Sequence, residues 1–155
     1  MLRPTYVRMA TVIDAARKSD LPNVHRLLEM HHLPVEGVDD HLETMLVARS
    51  GHDIVGAAAV ELYADGALLR SVVVDPVYQG QGLGRRLTES ALQIADRHGV
   101  YAVFLLTTTA ENFFPRLGFA PVPRSDVPSS VQASVEFQSA CPASATVMRK
   151  TLGTR

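Results

Sequence analysis

Hydrophobic positions along this chain follow two periods, and the elements can be read where one gives way to the other. Residues 11–16 carry the first strand-like run. Ser19 and Asp20 are cap-type residues, Pro22 suits an early helical position, and Val24, Leu27 and Leu28 recur at helical spacing, which predicts a helix ending near Met30. A weaker helix around residues 39–43 leads into apolar residues 45–48, a polar turn and residues 54–62, a pattern that predicts a hairpin. The turn Tyr63-Ala64-Asp65-Gly66 feeds residues 68–74, rich in β-branched side chains and stopped by Asp75 and Pro76, so three strands form a meander.

Further on, Leu83, Leu87, Ala91, Ile94 and Ala95 share one helical face, Arg86, Glu89, Gln93 and Arg97 fall elsewhere, and Gly99 is placed to stop the helix. The apolar run 100–106 reads as a buried strand, so strand, loop, helix and strand make a crossover that sets its two strands parallel. A short helix ended by Gly118, a strand over 119–122 and a closing strand over 146–152 complete the pattern. Residues 1–10 show no clear period and are expected to be an extension ahead of a single domain spanning 11–155.

The densest signal is the loop Gly80-Gln81-Gly82-Leu83-Gly84, three glycines in five residues between a strand and a helix. Glycines let a ligand approach the backbone, and a helix start presents unpaired N–H groups that suit an anion. A P-loop needs Lys and then Ser or Thr after its last glycine, but Arg85 and Arg86 follow Gly84. A dinucleotide fingerprint needs a small residue where Arg85 stands and an acidic ribose ligand where Leu106 and Thr107 stand. Both readings fail.

Composition narrows the field further. With 155 residues, 46% hydrophobic and 20% charged, the chain suits one globular domain with an adequate core. A net charge of -1 argues against nucleic acid or an anionic membrane as a partner, so any anion site must be local. The single cysteine, Cys141, excludes an internal disulfide, and no apolar stretch reaches the ~18 residues of a membrane span. Without a leader-like apolar segment, the expected location is cytoplasmic.

The pattern that remains, Gln79-x-x-Gly82-x-Gly84 opening a helix behind Val74-Asp75-Pro76, resembles the acyl-CoA signature of the GCN5-related N-acetyltransferases (GNAT) over about residues 11–152. The stretches LLTTTAENFFPRLGF, RSDVP, EF and CPASATVMRK are similar to acetyltransferases associated with arsenic resistance, and more distantly to the acetyltransferase modules of N-acetylglutamate synthases. The resemblance implies an α/β fold: a mixed, mostly antiparallel sheet of about six to seven strands with flanking helices. Its parallel fourth and fifth strands splay apart around acetyl-CoA, the co-substrate, and no metal is required. Backbone groups of Val72, Val73 and Val74 would hold the pantetheine arm beside a bulge, with the Val73 N–H as oxyanion donor. Gln79, Gly80, Gln81, Gly82, Leu83, Gly84 and Arg85 would surround the pyrophosphate, with Arg86 nearby, and Thr107 stands where many relatives place an asparagine that meets CoA.

Two proton-transfer residues usual in such enzymes are replaced, a tyrosine by Phe114 and a glutamate by Leu68. Glu61 is then the expected base, acting through water. Strand alternation sets Arg70 on one face with Leu68 and Val72, where a guanidinium would grip an acceptor carboxylate or oxyacid, and Arg124 is a second candidate clamp. Cys141 reads as packing, because direct transfer needs no thiol nucleophile. His25, His31, His32 and His41 lack zinc-site spacing, and the His31-His32 segment is expected to line the acceptor pocket. Phe113 and Phe119 read as core. The expected activity is acetyl transfer to a small-molecule amine, an amino acid or amino-acid-like anion that is glutamate-like or arsenic-containing, with a homodimer as an option. The alternatives are a non-catalytic acyl-CoA sensor and a protein or peptide acetyltransferase.

Overall fold

The structure is a computed structural model that describes residues 10–153. The extension expected over residues 1–10 lies outside the described residues, Ala10 excepted. Strands β1 (Val12–Ala15), β2 (Met45–Ser50), β3 (Asp53–Tyr63), β4 (Gly66–Val74), β5 (Ala102–Thr107), β6 (Ala120–Pro121) and β7 (Thr146–Thr151) form one seven-stranded sheet in the order β1-β2-β3-β4-β5-β7-β6. β4 and β5 run parallel and the other neighbouring pairs run antiparallel, as the sequence pattern and the crossover predict.

Helices α1 (Leu21–Met30) and α2 (Leu83–Arg97) cover opposite faces. On one face Leu83, Leu87, Ala91 and Ala95 of α2 pack on Ala58, Val60, Leu69 and Leu105; on the other, Val24, Leu27 and Leu28 of α1 pack on Met45, Val47, Ala57, Ala59 and Val73. Each fully buried Leu, Val or Met side chain among these stabilises the fold by about 1.5–3 kcal/mol relative to exposure, and each Ala by less. Central β3, covered on both faces, carries small residues from Gly56 to Ala59, which lets both helices approach closely. A Cβ on Gly56 would stand 2.9 Å from Leu87 Cδ1 and 3.0 Å from the Val73 carbonyl oxygen.

Pro22 falls in the first turn of α1 as expected, but Asp20 does not cap the helix with its side chain. Its carboxylate instead takes Arg49 in a bidentate pair at 2.9 and 2.6 Å and accepts from the Arg17 N–H at 2.8 Å, joining the start of α1 to β2. The Arg49 hydrogen bond is the main reason its pKa lies below the ordinary carboxylate value. The stabilisation is therefore present above the unfolded-state pKa of about 4 and is lost as pH falls through the lower folded-state value.

Two irregularities in β4 make room for a site. Ala57 faces Val73 and Ala59 faces Arg70, so Ala58 alone opposes both Ser71 and Val72, a bulge in which Ser71 takes the left-handed φ of 61°. The extra residue reverses the alternation beyond it. Val72 and Val74 therefore pack toward α2, and the expectation that Val72 shares a face with Leu68 and Arg70 is corrected. Second, β4 pairs with β5 at two positions only, Ala67 with Val103 and Leu68 with Phe104.

Residues 123–145, which gave no periodic signal, fold as a 3-10 turn (Arg124–Asp126), the short helix α3 (Ser129–Gln132) and a π-helical turn (Glu136–Ala140). Val127 and Val131 from this segment seal Leu68, Phe104 and Val147 on the α1 side of the sheet. Gly56→Val should lower stability by about 1–3 kcal/mol by overpacking the β3–α2 contact, read as a lowered urea midpoint. An unchanged midpoint would show that the layer has slack.

Candidate active site

Beyond Leu68 and Phe104 the diverging strands open a cavity of about 650 Å³, lined by β4 from Leu69 to Val74 and by Leu105, Leu106 and Thr107 of β5. One end meets the glycine loop and the other meets residues 31–34, Glu136 and Cys141. Gly80 and Gly82 adopt φ of 81° and 80°, and a Cβ on either would find open space. No side chain caps α2, whose first bond to the preceding loop runs from the Arg86 N–H to the Gly82 carbonyl at 3.1 Å. The N–H groups of Leu83, Gly84 and Arg85 thus have no acceptor among the described residues, the arrangement that suits a bound anion. Gly84 has an ordinary φ, and a Cβ there would meet Phe113 and Val74 at 3.5 and 3.7 Å, ordinary contact distances, so neither backbone nor packing requires glycine at this position.

Several expected ligands are placed differently. The Gln79 N–H bonds the Pro76 carbonyl at 3.4 Å and its side-chain amide donates to the Val74 carbonyl at 3.0 Å, so Gln79 braces the loop rather than offering its N–H to a phosphate. Gln81 is exposed outside the cavity lining. Arg85 lines the cavity and lies 3.4 Å from Glu89, whereas Arg86 reaches the Thr11 carbonyl at 3.4 Å, away from the cleft.

The expected Val73 oxyanion donor is also corrected. The Asp75 N–H donates to the Val55 carbonyl at 2.8 Å, and alternation of an antiparallel ladder then directs the Val73 N–H toward Ala57. Val72 and Val74 turn their backbone groups toward the gap instead, consistent with the Gln79 contact to the Val74 carbonyl. Thr107 does line the cavity, but its hydroxyl oxygen accepts from the N–H groups of Thr109 and Ala110 at 3.3 and 2.9 Å, which shapes the loop after β5. Phe114, buried at the cavity wall, makes edge-to-face contacts with Phe113 and Phe119.

Arg70 lines the cavity with its side chain fully buried, and four of its five N–H donors are committed. Nε donates to Ser71 Oγ at 3.1 Å and lies 3.4 Å from Glu136 Oε2; one terminal nitrogen donates to the Glu36 carbonyl at 2.8 Å and to Glu61 Oε2 at 3.0 Å, and the other to the Pro34 carbonyl at 3.1 Å. It is a structural tie between β4 and the segment after α1, not a free clamp for an acceptor. Arg124 is no clamp either: it sits over the Phe137 ring, bonds the carbonyls of Pro142 and Ala143, and does not line the cavity. Glu61, the expected base, is buried beneath Arg70, His41 and the Tyr63 hydroxyl and does not reach the cavity.

The residue that sequence reasoning missed is Glu136, 4% exposed and on the cavity wall. Burial pushes its pKa up to about 7 against the lowering pull of Arg70. Its signal in the sequence is the pair Glu136-Phe137, the EF of the family resemblance, in a segment without period that gave the carboxylate no role. The neighbouring Cys141 thiol is pushed up to about 12 by burial and by Glu136, so it stays protonated and is no nucleophile. His31 and His32 reach the cavity as expected. Among the described residues, no three His, Cys, Asp or Glu side chains gather as a metal site, and no helix is long and apolar enough to cross a membrane.

Residues 41–121 match the acetyltransferase (GNAT) domain family. An N-acetyltransferase of Chlorobaculum tepidum is 28% identical over 129 residues, covering 78% of this chain and 83% of that protein. An amino-acid acetyltransferase of Mycobacterium tuberculosis is 29% identical over 131 residues, covering 77% and 74%. Among solved structures, a Mycobacterium tuberculosis protein in complex with CoA superposes with a TM-score of 0.78 at 25% identity, covering 92% of this chain and 99% of that one. N-acetylglutamate synthase from Neisseria gonorrhoeae, complexed with coenzyme A and N-acetyl-glutamate, has the same fold at a TM-score of 0.80 and 20% identity; 94% of this chain spans 36% of that one.

Replacing Arg70 by Ala should cost about 3–5 kcal/mol of stability, because Glu61 and Glu136 would be left as buried carboxylates without their cation. Urea unfolding measures it, and a loss below about 1 kcal/mol would mean that the tie is not structural.

Proposed function

The chain belongs to the GNAT acetyltransferase family, and from that premise we propose that it transfers the acetyl group of acetyl-CoA to the amine of a small amino acid or amino-acid-like anion. The observation that carries this reading is the union of the β4/β5 gap and the uncapped start of α2 in one cavity. The residues fit the coenzyme: a side chain would occupy the open space at Gly80 and Gly82, and the N–H groups of Leu83, Gly84 and Arg85 await an anion. Those groups would hold the pyrophosphate, with Arg85 adding charge at the mouth. The unpaired edge of β4 at Val72 and Val74 would bind the pantetheine arm as an added strand.

Bound acetyl-CoA supplies an activated acetyl group as a thioester. The chain's part is to hold two reactants together, worth up to ~7–11 kcal/mol of the barrier, and to aim backbone N–H groups at the oxygen where negative charge develops. We assign the latter to Val72 and Val74, a reading supported by the register of β4 with β3. Phe114 and Leu68 carry no proton, so the departing thiolate, with an ordinary pKa of about 8.5, takes its proton from water or from the amine.

The acceptor end supports a small substrate. The segment after α1 is tied down by Arg70 through Pro34 and Glu36, and Glu136, Cys141 and Pro142 line the same cavity, which favours a small acceptor. With Arg70 and Arg124 both committed, the imidazoles of His31 and His32 are the polar groups we assign to the acceptor's carboxylate. The amino-acid acetyltransferase among its relatives favours the same class.

A thiol-release assay with acetyl-CoA across amino acids, glutamate analogues and arsenic-bearing analogues tests the reading. Turnover with one small anionic class is expected; coenzyme binding without turnover across the panel would instead indicate a sensor. Gly82→Val should weaken CoA binding by at least tenfold in calorimetry, because a branched side chain takes the phosphate's space and opposes φ of 80°. Equal affinities would refute the loop assignment.

A further inference from the structure

We infer that Glu136 is the base that takes the proton from the acceptor amine, an assignment that rests on the acetyltransferase reading above. Among the described residues lining the cavity, it is the only carboxylate. Glu61 cannot serve, since its oxygens are occupied by Tyr63, Arg70 and His41 behind the cavity wall. Among the described residues Glu136 accepts no backbone N–H or hydroxyl; its polar neighbours are the Cys141 thiol and Arg70 Nε, 3.4 Å from Oε2, and two carboxylate oxygens keep lone-pair capacity beyond these for an incoming N–H.

Its location is also suitable. Glu136 Oε2 lies 3.4 Å from Arg70 Nε, the same nitrogen that donates to Ser71 Oγ at 3.1 Å. The carboxylate is therefore one guanidinium away from the bulge where β4 turns its backbone into the gap. The groups that face it are Arg70 from β4, Glu61 from β3, Glu36 from the segment after α1 and Cys141 from its own segment. Burial is the largest influence and raises its affinity for a proton; Arg70 opposes this, Glu61 and Glu36 reinforce it, and the Cys141 thiol lowers it. The balance places ionisation near neutrality, where a general base both exists as the anion and binds a proton well.

The step balances without a further reagent. An amine enters as an ammonium ion, and Glu136 takes one of its protons. The freed nitrogen lone pair forms the C–N bond to the acetyl carbon, and the C–S bond breaks with its electron pair on sulfur. The nitrogen's second surplus proton ends on that sulfur, and Glu136 releases its own to solvent. Below its pKa Glu136 is protonated and cannot act, so activity falls as pH drops through about 7.

Glu136→Gln in the full chain, assayed with acetyl-CoA and the fastest amino acid of the panel, tests this. The expected result is a ~10²–10⁴-fold fall in kcat at pH 7.5, loss of the acidic limb near pH 7, and an unchanged CoA affinity. Glu136→Asp, which keeps the carboxylate, should retain a shifted limb and guards against a misfolded glutamine variant. An acidic limb that persists in the glutamine variant, or that vanishes only in His31→Ala or His32→Ala, overturns the assignment while leaving the acetyltransferase reading intact. Wild-type protein that binds CoA and turns over no amino acid overturns both.

Discussion

β4 leaves β5 after two residue pairs, and the rest of the site depends on that separation. Parallel strands normally bond along their length, and an unpaired central edge costs free energy unless something else satisfies it. The separation is maintained from both ends. The bulge at Ser71 and Val72 re-aims β4, while Thr107 folds the chain away at the end of β5 through bonds to Thr109 and Ala110. The same crossover that makes these strands parallel delivers α2, and with it an uncapped helix start, to the mouth of the opening. One topological choice thus brings an unpaired strand edge and an uncapped helix start to the same opening.

Arg70 organises the opposite end. Its guanidinium holds two carboxylates and two backbone carbonyls from segments far apart in sequence, so the acceptor side of the cavity depends on one buried cation. The two carboxylates differ in what else they touch. Glu61 lies deep and is fully engaged, while Glu136 faces the cavity with oxygens to spare. Environment gives two chemically identical groups different parts: one is enclosed as a structural partner of Arg70, and the other stands on the cavity wall with its pKa raised by burial.

Much of this was legible in the chain. The meander, the crossover, α2 with its stop at Gly99 and the glycine loop that opens α2 all follow from local period, turn chemistry and glycine placement, and each appears where expected. The elements over residues 123–145 were not legible, since a turn and helices of four or five residues are too short to show a period. The readings of Arg70, Arg124 and Glu61 changed because partners decide whether a charged side chain is free. Those partners, such as Glu36 and Pro34 for Arg70, come from distant parts of the chain.

The sequence by itself determined the meander, the crossover, the family resemblance and the glycine loop that opens α2, because these rest on interactions within a few residues. Tertiary structure decided which face Val72 presents, which N–H groups of β4 are free, and which carboxylate reaches the cavity. One residue inserted at Ser71 and Val72 reverses the side-chain alternation beyond it, and no local pattern records an insertion defined by the register with β3.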